Sequence, residues 1–177
     1  MDLGLISVRY ARALLKAGMD TKLEDEVYKE MQLLSDSYIK VPELKFTIDN
    51  PMLSKEKKGD LLIAAIGGKP CELTRTFLRL VLKEEREGMM QFIANSYITL
   101  YRKQKKLIRA KLLTATTASD VSKQKLRKLV ESKTNGTVEF ETETVPNLIG
   151  GFVLEYDTYR LDMSVKSKLS SILSQLK

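Results

Sequence analysis

Over residues 3–18 the apolar positions Leu3, Ile6, Tyr10, Ala13, Leu14 and Ala17 recur at spacings of three and four, while Arg9, Arg12 and Lys16 follow another line. That period predicts an amphipathic helix, with Gly18 as its C-terminal stop. A second helix is expected from about Lys22 to Ile39, turning Leu23, Val27, Met31, Leu34 and Tyr38 inward. Pro42 can open a short third helix through Phe46 and Ile48. Asn50-Pro51 then breaks the chain, because the residue before a proline avoids helical geometry. Ser54 reads as the N-cap of a fourth helix, with Lys57 where a capping box would place Glu. This helix holds Leu61, Leu62, Ala65 and Ile66, and Gly67-Gly68 ends it. Residues 71–86 form a fifth, with Leu73, Phe77, Leu80 and Val81 on one side. Gly88 separates it from a long sixth carrying Phe92, Ile93, Tyr97, Leu100 and Tyr101. Six helices with short connections predict a bundle-like domain.

The period changes near residue 107. Ile108, Ala110, Leu112 and Thr114 alternate with Arg109, Lys111 and Leu113, which is the two-residue repeat of a strand. Ser119 or Ser122 can cap a helix through about Lys133, with Val121, Leu126, Leu129 and Val130 apolar. Asn135-Gly136 marks a turn, and Val138 and Phe140 then alternate with Glu139, Glu141 and Glu143 as a half-buried strand. Gly150-Gly151 leads into a strand from Phe152 to Asp157, and a short return runs from Arg160 to Asp162. A final helix follows, capped by Ser164, with Val165, Leu169, Ile172, Leu173 and Leu176 as its stripe. The expected fold is mainly α: an N-terminal six-helix bundle over residues 1–105, then a small α/β domain over 106–177. So short a second domain has a meagre core, and a partner is expected to stabilise it.

Composition narrows the chemistry. The 177 residues include one cysteine, Cys71, and no histidine or tryptophan. That rules out an intrachain disulfide, a Cys/His zinc site and an imidazole-based triad, and most of the general acid–base toolkit is missing, leaving carboxylate, lysine or tyrosine chemistry. No apolar run approaches the ~18 residues of a membrane span. The N-terminus lacks the marks of a secretory signal or an organelle leader, so the expectation is a start near Met1 in a cytoplasm-like compartment. The net charge of +7 is spread evenly. Residues 1–105 carry 18 basic and 15 acidic groups and residues 106–177 carry 12 and 8, without the concentrated imbalance of a dedicated nucleic-acid binder.

Three features taken together resemble the delta subunit of bacterial F-type ATP synthases, a relative of the mitochondrial oligomycin-sensitivity-conferring protein. They are Tyr10-Ala11-Arg12-Ala13-Leu14 in the opening helix, Asn50-Pro51 before a Lys-containing helix, and Leu148-Ile149-Gly150-Gly151-Phe152 followed by Asp162-Met163-Ser164 and an amphipathic helix. Their order and spacing along essentially the whole chain carry the resemblance. The stretch Glu84-Glu85-Arg86-Glu87-Gly88 is more acidic than the family form, and Asn147 stands where Asp is commoner.

The resemblance implies a non-catalytic stator subunit without cofactor or metal, present in one copy, peripheral on the cytoplasmic face of a bacterial membrane. Its helical domain would grip the N-terminal helix of an alpha subunit of the catalytic head. The groove would be formed by Ile6, Tyr10, Ala13, Leu14 and Ala17 with Leu73, Phe77, Leu80 and Val81. Its C-terminal domain would meet the C-terminal helices of the b-subunit stalk through Val165, Leu169, Ile172, Leu173 and Leu176. Asn50, Pro51, Gly150, Gly151, Asp162 and Ser164 would serve the fold.

Plainer readings stand beside these. The Tyr10–Leu14 stripe suits a bundle core as well as a groove. Gly150-Gly151 has no phosphate-loop context, and Glu155, Asp157 and Asp162 lack calcium-loop spacing. The run Arg102-Lys103-Gln104-Lys105-Lys106, with Arg109 and Lys111, reads as a solvated helix end and an interdomain hinge. It also leaves a nucleic-acid-binding helical adaptor as the alternative function. Cys71 reads as an inert thiol.

Overall fold

The computed structural model describes residues 3–115, 120–134, 136–156 and 159–175. The chain divides into two compact units, Met1–Lys103 and Gln104–Lys177.

In the first unit, helix α1 (Leu3–Thr21) runs through Gly18 rather than stopping at it. A Cβ on Gly18 would lie 3.2 Å from the Glu24 Cα, so the glycine serves the close approach of the next helix, α2 (Glu24–Lys40). The stop is made by backbone geometry one turn later. Lys22 takes φ 59°, its N–H bonds the Met19 carbonyl, and the Leu23 N–H reaches back to the Gly18 carbonyl at 2.9 Å. This pair of reversed bonds closes the helix in a Schellman motif.

Helix α3 (Glu43–Asp49) ends at Asn50, whose side-chain oxygen accepts the Met52 N–H at 2.9 Å and holds the turn containing Pro51. Ser54 caps α4 (Lys55–Ala65) by accepting the Lys57 N–H. Gly67 and Gly68, at φ 101° and 84°, end it in a second Schellman motif. Helix α5 (Glu72–Lys83) closes in a third, with Glu85 at φ 56°. A 3-10 turn, Glu87–Met89, leads into α6 (Met90–Lys105).

The core of this unit is built on α2. Val27, Met31 and Leu34 are fully buried, as are Ile48, Leu62, Val81, Met90, Ile93 and Tyr97 from the surrounding helices. The end of α6 is fixed to the start of α2 by aromatic packing and hydrogen bonds. Tyr28 and Tyr101 stack with centroids 4.1 Å apart, and Arg102 lies 5.8 Å over the Tyr28 ring. The Tyr101 hydroxyl donates to Asp25 at 2.6 Å, and the Tyr97 hydroxyl to the Glu24 carbonyl at 3.1 Å. Burial, then neighbouring acidic and phenolic groups, pushes both phenols well above their ordinary pKa.

The second unit contains β1 (Leu107–Thr114), α7 (Asp120–Thr134), β2 (Thr137–Thr144), a 3-10 turn Pro146–Leu148, β3 (Phe152–Tyr156), β4 (Tyr159–Asp162) and α8 (Val165–Gln175). The sheet order is β2-β1-β3-β4. β1 and β2 are parallel, with Leu107 opposite Thr137 and α7 as the crossover. β3 runs antiparallel to β1, with Leu112 opposite Leu154, and β4 antiparallel to β3. Alternation sends Ala110, Leu112, Val138 and Leu154 into one core with Val130 of α7, flanked by Leu126, Phe152 and Tyr156. The mainly helical bundle and small α/β unit expected from the hydrophobic periods are both present. Asp157, Ser119, Asn135 and Leu176 lie outside the described residues, as do the side chains of Leu3, Val121, Leu129 and Phe140.

Candidate functional site

Two apolar surfaces stand out, one in each unit. On the first, α1 and α5 face each other across a cavity of about 650 Å³. Its walls are Arg9, Tyr10, Ala13, Leu14 and Ala17 from α1, and Leu73, Thr76, Phe77, Leu80 and Glu84 from α5. Both sets follow the three- and four-residue steps of one helical face. Tyr10 meets Phe77 edge-on, with centroids 6.4 Å apart and planes at 69°. That geometry suits aromatic quadrupoles. Leu14 forms its floor at 2% exposure, whereas Leu80 stands on the rim at 47%.

Seven of the nine residues proposed for this groove line it, and two do not. Val81 is fully buried in the bundle core. It sits ~100° around the helix from Leu80, on the flank that α5 turns inward, so it is a core residue and not a groove wall. Ile6 lies on the same stripe of α1 but is half-buried beyond the cavity. The sequence reading missed Arg9, Thr76 and Glu84, the polar rim of the groove. Their one signal was position on either side of the apolar stripe.

The second surface is α8. Val165, Leu169, Ile172 and Leu173 are all exposed, and so is every other residue from Lys166 to Ser174. The start of this helix is nevertheless firmly set. Asp162 accepts the Ser164 N–H at 2.9 Å and the Ser167 hydroxyl at 2.8 Å. Ser164 accepts the Ser167 N–H. These bonds, the Ser164 backbone one foremost, hold the Asp162 carboxyl below its usual range. A Cβ on Gly150 would lie 3.0 Å from Val165, and one on Gly151, at φ 76°, only 2.2 Å from the Met163 carbonyl oxygen. The double glycine therefore lets the chain before β3 pass beneath the start of α8.

The remaining candidates have structural partners. The Cys71 N–H and thiol both face Glu30, at 2.5 and 3.4 Å. Arg102 donates to the Tyr28 hydroxyl at 2.9 Å. Arg109 pairs with Glu141, and Lys111 with Glu143 at 2.6 Å, so each strand cation reaches the residue two positions beyond its register partner on β2. Glu155 pairs with Arg160 at 3.4 Å. Among the described residues no acidic or thiol cluster has the arrangement of a metal site, and no helix is long and apolar enough to cross a membrane.

The two units thus present an open groove and an exposed amphipathic helix, and the nearby charges are paired. The family described as ATP synthase delta (OSCP) subunit matches residues 6–176. The chain belongs to that family. It is 45% identical to the ATP synthase subunit delta of Phocaeicola vulgatus over 176 residues, 99% of this chain and 95% of that relative. It is 42% identical to the subunit delta of Parabacteroides distasonis, over 99% and 98% of the two chains. Its fold is similar to a chain in the cryo-EM structure of the Toxoplasma gondii mitochondrial ATP synthase hexamer, with a TM-score of 0.65 and 22% identity over 96% of each chain. The protein is thus a non-catalytic stator subunit of an F-type ATP synthase, associated with the complex as a peripheral component.

Proposed function

We propose that residues 1–105 hold the catalytic head and residues 106–177 hold the peripheral stalk, one copy per complex on the cytoplasmic face of the membrane. The α1–α5 groove takes the N-terminal helix of an alpha subunit, and α8 takes the C-terminal helices of the stalk's b subunits. The observation that carries this reading is the groove itself, two apolar helical stripes left open with Leu80 on the rim.

An amphipathic helix laid into such a groove is held by anchors at i, i+3, i+4 and i+7. Each buried anchor contributes about 1.5–3 kcal/mol, so a handful with well-placed rim contacts approaches the ~12 kcal/mol of a nanomolar complex. The mechanical task needs slow release rather than chemistry. Torque on the rotor acts equally on the head, and a tether that outlasts each rotary step turns that reaction into ATP synthesis. The test is calorimetry of the whole chain with a synthetic alpha N-terminal helix and, separately, with a fragment from the C-terminal end of the b-subunit stalk. Tight binding of both is expected. A chain that ignores the alpha helix overturns the groove assignment.

A further inference from the structure

Val165, Leu169, Ile172 and Leu173 of α8 form one exposed apolar stripe. Val165, Leu169 and Ile172 are spaced four and then three apart, which places them at successive d, a and d positions. In that frame Lys166 holds the first e position and Lys168 the g position, Leu173 takes the second e position, and serines fill the back. Both lysines are exposed. They also lie in the first turn, which has no acidic residue. Cations there oppose the positive end of the helix dipole, so they weaken α8 as an isolated helix. Asp162 and Ser164 supply the cap that offsets this. Among the described residues no acidic side chain pairs with either lysine.

We propose that α8 selects, as its coiled-coil partner, a helix with acidic residues flanking its own apolar stripe. A carboxylate facing Lys166 or Lys168 gains the ion pair and the favourable end of the dipole together. A second copy of α8 would set lysine against lysine, so the same residues disfavour self-pairing. This deepens the stalk-docking reading above and rests on it.

The test titrates the whole chain with two synthetic helices sharing one leucine-rich stripe, one flanked by glutamate and the other by lysine. The glutamate-flanked helix should bind about tenfold tighter at low salt, from the exchange of attractive for repulsive flank pairs, and the gap should narrow at high salt. Lys166→Glu with Lys168→Glu should invert the order while raising, not lowering, helix content. Equal binding of the two helices, binding of neither, or a preference surviving the charge reversal overturns the proposal. So does a dimer, seen by sedimentation, that Ile172→Asp abolishes. The underlying reading is scored separately by titrating the same stalk fragment, from the C-terminal end of the b subunit, against Ile172→Asp. An unchanged affinity removes α8 from stalk docking, whereas a lost affinity with no charge preference removes only the selectivity.

Discussion

Lys58 and Glu87 form an ion pair inside the first unit, Nζ to Oε1 at 2.7 Å, with both side chains almost wholly removed from solvent. The pair ties α4 to the turn between α5 and α6. Burial on its own would raise the Glu87 carboxyl, but the Lys58 hydrogen bond and charge, with Lys55 behind, hold it below the ordinary carboxylate value. A carboxylate depressed in the folded state contributes stability above its unfolded pKa and loses it as pH falls through the folded one. Resistance to urea should therefore fall below about pH 4, and Glu87→Gln should flatten that acid limb. Lys58→Met, which strands a buried carboxylate, should cost about 3–5 kcal/mol at neutral pH. Lys58→Met with Glu87→Leu should recover most of the loss.

Leu80 and Val81 are sequence neighbours with opposite fates, and the pair separates groove from core. Leu80→Asp alters an exposed rim position and should change stability by no more than about 0.5 kcal/mol. It should weaken capture of an alpha N-terminal helix by roughly a hundredfold, since it places a charge against the apolar face of the bound helix. Val81→Ala should do the reverse, costing about 2 kcal/mol of stability through a core cavity with affinity unchanged. Calorimetry and urea unfolding on the two variants read both effects. Leu14 is unsuited to the same test, because it is also core.

The helical periods were legible because burial imposes them. The stripes of α1 and α5 could be read as two faces, and residues of both line one cavity. The inward turn of Val81 was not legible. A stripe read from spacing is ~100° wide or more, and only the neighbouring helices decide which flank faces the core. The order of the sheet was hidden for a related reason. Alternation gives each strand a face but not a partner, so the parallel pairing of β1 with β2, and the diagonal reach of Arg109 and Lys111 to Glu141 and Glu143, required the fold. The uncovered state of α8 was hidden too, because an amphipathic stripe looks the same whether its partner is in the chain or outside it.

Gly151 and Gly68 both have positive φ, yet they should respond differently to alanine. At Gly68 a Cβ would meet nothing within 4 Å. Gly68→Ala should then cost only the left-handed backbone penalty of about 1–2 kcal/mol. At Gly151 the Cβ would be 2.2 Å from the Met163 carbonyl oxygen, a backbone atom that cannot swing aside. Gly151→Ala should carry the same penalty plus displacement of the start of α8, roughly 3 kcal/mol or more in all. Hydrogen exchange should show its loss of protection concentrated in β3 and α8, and that of Gly68→Ala at the end of α4.

Three helix ends share one geometry but not one residue. Schellman motifs close α1, α4 and α5 with Lys22, Gly67 and Glu85 at the left-handed position. Only the second is a glycine, which is why Gly18 could be mistaken for the end of α1. A non-glycine residue held there carries about 1–2 kcal/mol of backbone strain, partly offset by the lower chain entropy of the unfolded state. Lys22→Gly should consequently raise stability by about 0.5–1 kcal/mol. Glu85→Gly should gain less, because it also removes the exposed Lys55–Glu85 pair at 3.0 Å, itself worth at most about 1 kcal/mol. Raising the salt concentration should narrow the gap between the two variants, since it screens the ion pair and leaves backbone strain untouched. A Lys22→Gly protein that unfolds at lower urea than its parent would show that Lys22 is held there by a contact stronger than the strain.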